Sequence, residues 1–251
     1  SANRSDERTA RKEAGPLEGI PVAVKDIFCM KRLRTTAGSK MLDRFFPPYD
    51  STVTARLEKA GAVIIGKTAM DEFSMGSSGE NCAFGITRNP WDLDRVPGGS
   101  SSGSAAAVAS RQIFASIGTD TGGSIRQPAA FSGVVGIKPT YGRISRHGLI
   151  AFACSLDQGG VLARNSKDAA LVLSTIAGHD EMDSTSSKRH VPAYAKELRE
   201  DIKGVRIGVP GEFFIDELHP EIERSVRDAI KRLEELGAKI VPISLPNTGQ
   251  A

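Results

Sequence analysis

The chain has 251 residues, 39% of them hydrophobic and 25% charged, enough to bury a sizeable core as one large domain or two modest ones. Its formal net charge of +3 is scattered among mixed signs, which gives no footprint for nucleic acid. No apolar run approaches the ~18 residues of a membrane-spanning helix, and the opening SANRSDERTARKEAG lacks the apolar stretch of a secretory signal.

Residues 1–15 read as a polar tail. GIPVAVKDIF (19–28) is a short apolar strand that ends in Lys25 and Asp26. DSTVTARLEKAG (50–61) is a helix with Asp50 as its candidate N-cap, Val53 and Leu57 on one face, and Gly61 as its stop. AVIIG (62–66) reads as a strand buried on both faces. From 74 to 104 the chain is rich in Ser, Gly, Asn and Pro; so long an irregular stretch inside a folded domain points to a functional role. SAAAVASR (104–111) is a helix of very small side chains, suited to close approach to neighbouring backbone and so to a central place. IFASIG (113–118), a short helix after Pro128, and GVVGIKP (133–139) follow. NSKDAALVLSTIAG (165–178) is an amphipathic helix capped by Asn165 or Ser166 and closed by Gly178. Residues 179–194 form a polar surface loop. VRIGVP (205–210), HPEIERSVRDAIKRLEELG (219–237) and AKIVPISL (238–245) make a strand–helix–strand unit, with Ile222, Val226, Ile230, Leu233 and Leu236 in one stripe. Strands alternate with helices, which favours an α/β fold with a largely parallel sheet.

Cys29, Cys82 and Cys154 match neither a disulfide framework nor a metal site, so free, buried or half-buried thiols are expected. His147, His179, His190 and His219 form no ligand pattern, which disfavours a zinc enzyme. Three other features bear on chemistry. GTDTGGSIRQP (118–128) places two glycines before Ser124. It is either a decorated tight turn or a row of bare N–H groups, around Gly122, Gly123 and Ser124, presented to an anion beside a nucleophile. PGGSSSGSAAA (97–107) is a linker or a second anion loop, but it carries neither a P-loop nor a dinucleotide fingerprint. Lys25, at the end of an apolar strand, either emerges into solvent or is buried; burial would lower its pKa and make it a base for a serine. There is no G-x-S-x-G elbow, and no His–Asp pair suggests itself. Asp120 and Arg126 read as braces of the glycine loop, and His147 as a packing residue.

Taken together and in order, GIPVAVKD (19–26), GGSSSGSAAA (98–107) and GTDTGGSIRQPAAFSGVVGIKPT (118–140) resemble the amidase signature family, over a match running from about Pro16 to about Leu245. The resemblance implies a mixed, largely parallel central sheet with helices on both faces, in one partial domain spanning 16–251. It implies a Ser–Ser–Lys triad: Ser124 as the acylated nucleophile, Ser100 as the bridging serine on a cis peptide, Lys25 as the terminal base. The N–H groups of Thr121, Gly122, Gly123 and Ser124 are then the oxyanion hole. RTTAGSKML (34–42), FSMGSSGENCAFGITRNPWD (73–92), Gln127 and SLDQ (155–158) are similar to the glutamine-hydrolysing A subunits of tRNA-dependent amidotransferases. That branch implies B and C partner subunits in a heterotrimer and tRNA contacted mainly through the partner. ATP and Mg²⁺ are used by the partner, and no metal or cofactor is bound in this subunit. It also implies a bacterial cytoplasmic location, with an organellar one as the other possibility. Family chains continue past residue 251, where the grip on the glutamine carboxylate and ammonium is expected, and begin with a further helical segment. A free-standing amidase, an inactive fragment and a phosphate-binding module are the competing readings. Three positions depart from the family pattern: Ser102 stands for Gly, Gly79 for Thr and Cys82 for Ser.

Overall fold

Side chains alternate across β1 (Pro21–Lys25), so Val22 and Val24 face one side of a sheet and Ala23 the other. In this computed structural model, which describes residues 2–199 and 201–250, the same alternation recurs in β3 (Ala115–Asp120) and β5 (Gln158–Ala163). Ala115, Ile117, Val161 and Ala163 join Val22 and Val24 against α2 (Thr52–Lys59) and α5 (Ser166–Ile176). Ala23 and Leu162 meet α3 (Ser102–Ala109) and α4 (Arg126–Phe131) on the opposite face. The sheet therefore has helices on both faces, as expected.

With β2 (Val63–Thr68) and β4 (Val135–Ile137), the sheet runs in the order β2-β1-β3-β5-β4. β1 pairs in parallel with β2 and β3, whereas β5 is antiparallel to both β3 and β4. The sheet is mixed, and its parallel part is the half that carries Lys25.

The small helix takes the central place expected of it. Gly103 N–H donates to the Ala69 carbonyl at 3.0 Å, and a Cβ at Gly103 would lie 2.6 Å from the Ala69 nitrogen. Across the interface, a Cβ at Gly118 would lie 2.8 Å from Ser101 Oγ. Only residues this small let α3 approach β3 so closely.

Several local expectations are corrected. β2 lies at the sheet edge and is only part-buried, with Ile65 56% exposed. Ser51, not Asp50, caps α2 by accepting the Thr54 N–H; the Asp50 carboxylate accepts the Lys31 N–H at 2.6 Å instead. α4 begins at Arg126, ahead of Pro128, because a proline in the first turn forfeits only an N–H that has no helical partner. Within the expected tail, α1 (Ala2–Ala10) is helical, and Arg8 pairs with Glu18 at 3.3 Å; the outer bounds of that tail and of the expected domain, residues 1 and 251, lie outside the described residues. The 179–194 loop is not wholly at the surface: Asp183 and Ser186 are buried, and the Arg143 guanidinium donates to the carbonyls of Arg189 and His190. The cysteines are all free, but Cys154 is exposed.

The chain forms two compact units, Ser1–Glu197 and Leu198–Ala251. The second is a parallel pair, β6 (Arg206–Pro210) and β7 (Lys239–Ile243), joined through α6 (Pro220–Glu235). The apolar stripe of α6 is largely uncovered: Ile222, Val226 and Leu236 are exposed.

Candidate active site

Lys25 ends β1 with its side chain fully buried. Its ammonium donates to Ser100 Oγ at 2.7 Å and to Thr119 Oγ1 at 2.8 Å. Burial lowers the pKa of this lysine from 10.5 to about 7, against the opposing pull of the Asp71, Asp120 and Asp157 charges. A residue that reads from sequence as one of two possibilities is thus the buried kind, poised to be neutral near pH 7.

Ser100 sits in the turn that leads into α3, and the Gly99–Ser100 peptide is cis. Gly98 there has φ +80°, and a Cβ at Gly99 would run into the Asp71 carboxylate. The next residue stitches this turn to the second loop: Ser101 N–H donates to the Ser124 carbonyl at 3.1 Å, and Ser101 Oγ to the Thr119 carbonyl at 3.1 Å. Ser124 itself follows β3, nearly buried but open to a cleft of about 270 Å³ lined by Ser74, Gly99, Gly122, Gln127 and Phe152. Three residues far apart in sequence are thereby gathered at one end of β1 and β3.

The glycine loop is organised by two buried carboxylates. Asp120 accepts from the N–H groups of Gly123 (2.9 Å), Ile125 (3.1 Å) and Arg126 (3.3 Å), and from the Arg126 guanidinium at 2.9 and 3.0 Å. Burial pushes the Asp120 carboxyl up, but these donors more than offset it and hold it below the ordinary carboxylate range. Asp157 accepts from Thr121 Oγ1 at 2.7 Å and from the amides of Phe152 and Ala153. One expectation changes here. The Gly123 N–H is committed to Asp120, so it is not a free member of the row. Among the described residues, the amides of Thr121, Gly122 and Ser124 have no acceptor within the chain.

Asp120 and Arg126 are the braces that the sequence suggests, and His147 packs on the Tyr49 ring at 5.6 Å. Sequence reasoning missed Thr119 and Asp71. Thr119 shows only as another polar residue before the loop, and nothing near Asp71 signals that it will lie beside Gly99. The departures at 79 and 102 meet each other: a Cβ at Gly79 (φ +85°) would lie 2.5 Å from Ser102 Cβ. A second cleft, about 360 Å³, is lined by Asp26, Thr36, Lys67 and Phe84, with its Lys67–Asp26 pair closed at 2.7 Å. Among the described residues, no group of three or more His, Cys, Asp or Glu side chains is placed to hold a metal ion.

The whole chain, residues 1–251, matches the amidase family. It belongs to that family. Similar amidase-family proteins include the A subunit of the Syntrophobacter fumaroxidans glutamyl-tRNA(Gln) amidotransferase, 59% identical over 248 residues, covering 99% of this chain and 51% of that protein. The protein of the same name from Geobacter metallireducens is 57% identical over 251 residues, covering 100% of this chain and 52% of that one. Among solved structures, the A subunit of the Thermotoga maritima glutamyl-tRNA(Gln) amidotransferase has a TM-score of 0.90 at 46% identity, over 94% of this chain and 52% of that chain. The peptide amidase of Stenotrophomonas maltophilia has the same TM-score at 39% identity, over 99% and 52%. This amidase-family chain thus spans about half the length of the curated relatives it matches.

Proposed function

We propose that this chain is the catalytic part of a glutamine amidohydrolase subunit. It supplies ammonia to B and C partner subunits that amidate mischarged Glu-tRNA(Gln) or Asp-tRNA(Asn) in the bacterial cytoplasm, with ATP and Mg²⁺ used by the partner. The observation that carries the reading is the buried Lys25, its pKa depressed to about 7 and its amine hydrogen-bonded to Ser100.

In this reading neutral Lys25 takes the Ser100 proton while Ser100 takes that of Ser124. Ser124 Oγ attacks the side-chain carbonyl carbon of glutamine, and the free amides of Thr121, Gly122 and Ser124 hold the oxyanion. The proton returns through Ser100 to the departing nitrogen, ammonia leaves, and water hydrolyses the glutamyl ester to glutamate. Each oxyanion donor is worth about 3 kcal/mol of barrier. Activity rises with pH through about 7, because the base works only when neutral.

The test is ammonia release from glutamine by the full-length protein and by its Ser124→Ala variant. Loss of nearly all turnover supports the assignment, and full activity in the variant rejects it. A free-standing amidase acting on small amides or peptides is the second reading, favoured by the likeness to the peptide amidase. Glutaminase activity that climbs when partner subunits and tRNA are added selects the first; activity indifferent to them selects the second.

A further inference from the structure

We infer that Gln127 is a positioning residue for Ser100, one that sets how well the bridging serine delivers its proton; the inference rests on the triad reading above. Gln127 follows the nucleophile by three residues and holds both loops at once. Its backbone N–H donates to the Gly123 carbonyl at 2.8 Å, which fixes it to the glycine loop. Its side-chain Oε1 accepts the Gly99 N–H at 3.0 Å, which fixes it to the turn carrying Ser100. Since the partner is an N–H, the carbonyl end of the amide must face it, so the side chain is locked in one orientation.

The opposite side of the turn is rigid. The Asp71 carboxylate, fully buried, fills the space where a Gly99 Cβ would go and accepts the Gly79 and Asn81 amides, while Asp71 N–H donates to the Ser100 carbonyl at 3.2 Å. Gly99 is thus held between Asp71 and Gln127. Gln127 ties the Gly98–Gly99 peptide, one residue before Ser100, directly to the first turn of the helix behind Ser124, and it lines the cleft without occupying the chemistry. An acceptor at this position without a formal charge leaves the neighbouring oxyanion site unopposed.

The experiment compares two substrates with the same acyl group in the full-length protein: a primary amide, whose nitrogen must be protonated to leave, and an activated ester, whose leaving group departs unaided. Gln127→Met keeps the length but removes the acceptor. It is expected to lower the amide-to-ester ratio of kcat by ~10-fold or more, out of the ~10²–10⁴ that positioned proton transfer contributes, with KM for the amide little changed. Gln127→Glu keeps an acceptor at Gly99 and adds a charge felt equally by both substrates, so the ratio should return even if both rates fall. An unchanged ratio in Gln127→Met, or a ratio equally low in Gln127→Glu, overturns the inference while a dead Ser124→Ala variant leaves the triad standing. Full activity of Ser124→Ala on both substrates overturns the triad, and this inference with it.

Discussion

At the scale of single residues, Lys25 is held in the fold against its own charge. Its pKa is about 7 folded and 10.5 ordinarily, so between those values the unfolded chain carries a proton that the native chain does not. Stability from this residue is therefore lowest below pH 7 and rises with pH across the window, by up to about 1.4 kcal/mol per pH unit. Lys25→Met has nothing to titrate there. The difference in unfolding free energy between the two proteins should shrink steadily from pH 7 to pH 10 in denaturant titrations, and parallel curves would contradict the burial argument. The pair at 79 and 102 offers a second test. A side chain at 79 would compete for space with the one at 102, since a Cβ at Gly79 would lie 2.5 Å from Ser102 Cβ. Gly79→Thr alone should destabilise by about 1–3 kcal/mol through overpacking. Combined with Ser102→Gly it should recover at least ~0.5 kcal/mol, a coupling of the size found for touching residues. A cycle of thermal melts that sums to zero would mean that the φ of +85° at Gly79, not the contact, sets the cost.

At the scale of elements, the approach of α3 to the sheet positions Ser100, because the helix begins two residues beyond it. Gly103→Ala would put a methyl about 2.6 Å from the Ala69 nitrogen, and backbone cannot swing aside as a side-chain tip does. The expected result is a loss of about 1–3 kcal/mol together with reduced turnover. Gly66→Ala on the edge strand, where a Cβ meets nothing within 4 Å, should do neither. Equal behaviour of the two variants in melts and assays would show that α3 does not need its small face. This helix was legible in sequence because small size is itself the signal. So were Gly61, which takes φ +89° just after α2, and Asn165, whose side chain accepts the Asp168 N–H at the start of α5. The cap of α2 was not legible, since Asp50 and Ser51 are both good caps and only the Lys31 amide nearby decides between them. Nor was the exposure of β2: the run AVIIG looks the same at an edge as in the middle of a sheet, because strand order depends on pairings distant in sequence.

At the scale of the whole molecule, the three residues of the proposed triad were legible as motifs, but their meeting was not. Lys25 reaches Thr119 because β1 and β3 lie side by side, and it reaches Ser100 because α3 packs on them; no local pattern carries either adjacency. Thr119 and Asp71 escaped notice for the same reason. Burial is just as unevenly shared, and it has a measurable consequence. The strands β3 and β5 are buried along their whole length, so exposing their amides requires disrupting both helical layers. In the unit Leu198–Ala251, Ala238 is the only buried side chain among the described residues, and no residue of α6 is buried. With so little apolar surface removed from water, its opening should cost far less than that of the sheet. Hydrogen exchange followed by mass spectrometry should therefore find peptides from β6, α6 and β7 deuterated well before those from β1, β3 and β5. The early set should keep its order as denaturant is raised, while the sheet exchanges only near the global transition. Uniform protection along the chain would mean that opening of residues 198–250 is as costly as unfolding the sheet, and that their exposed stripe is not what governs their stability.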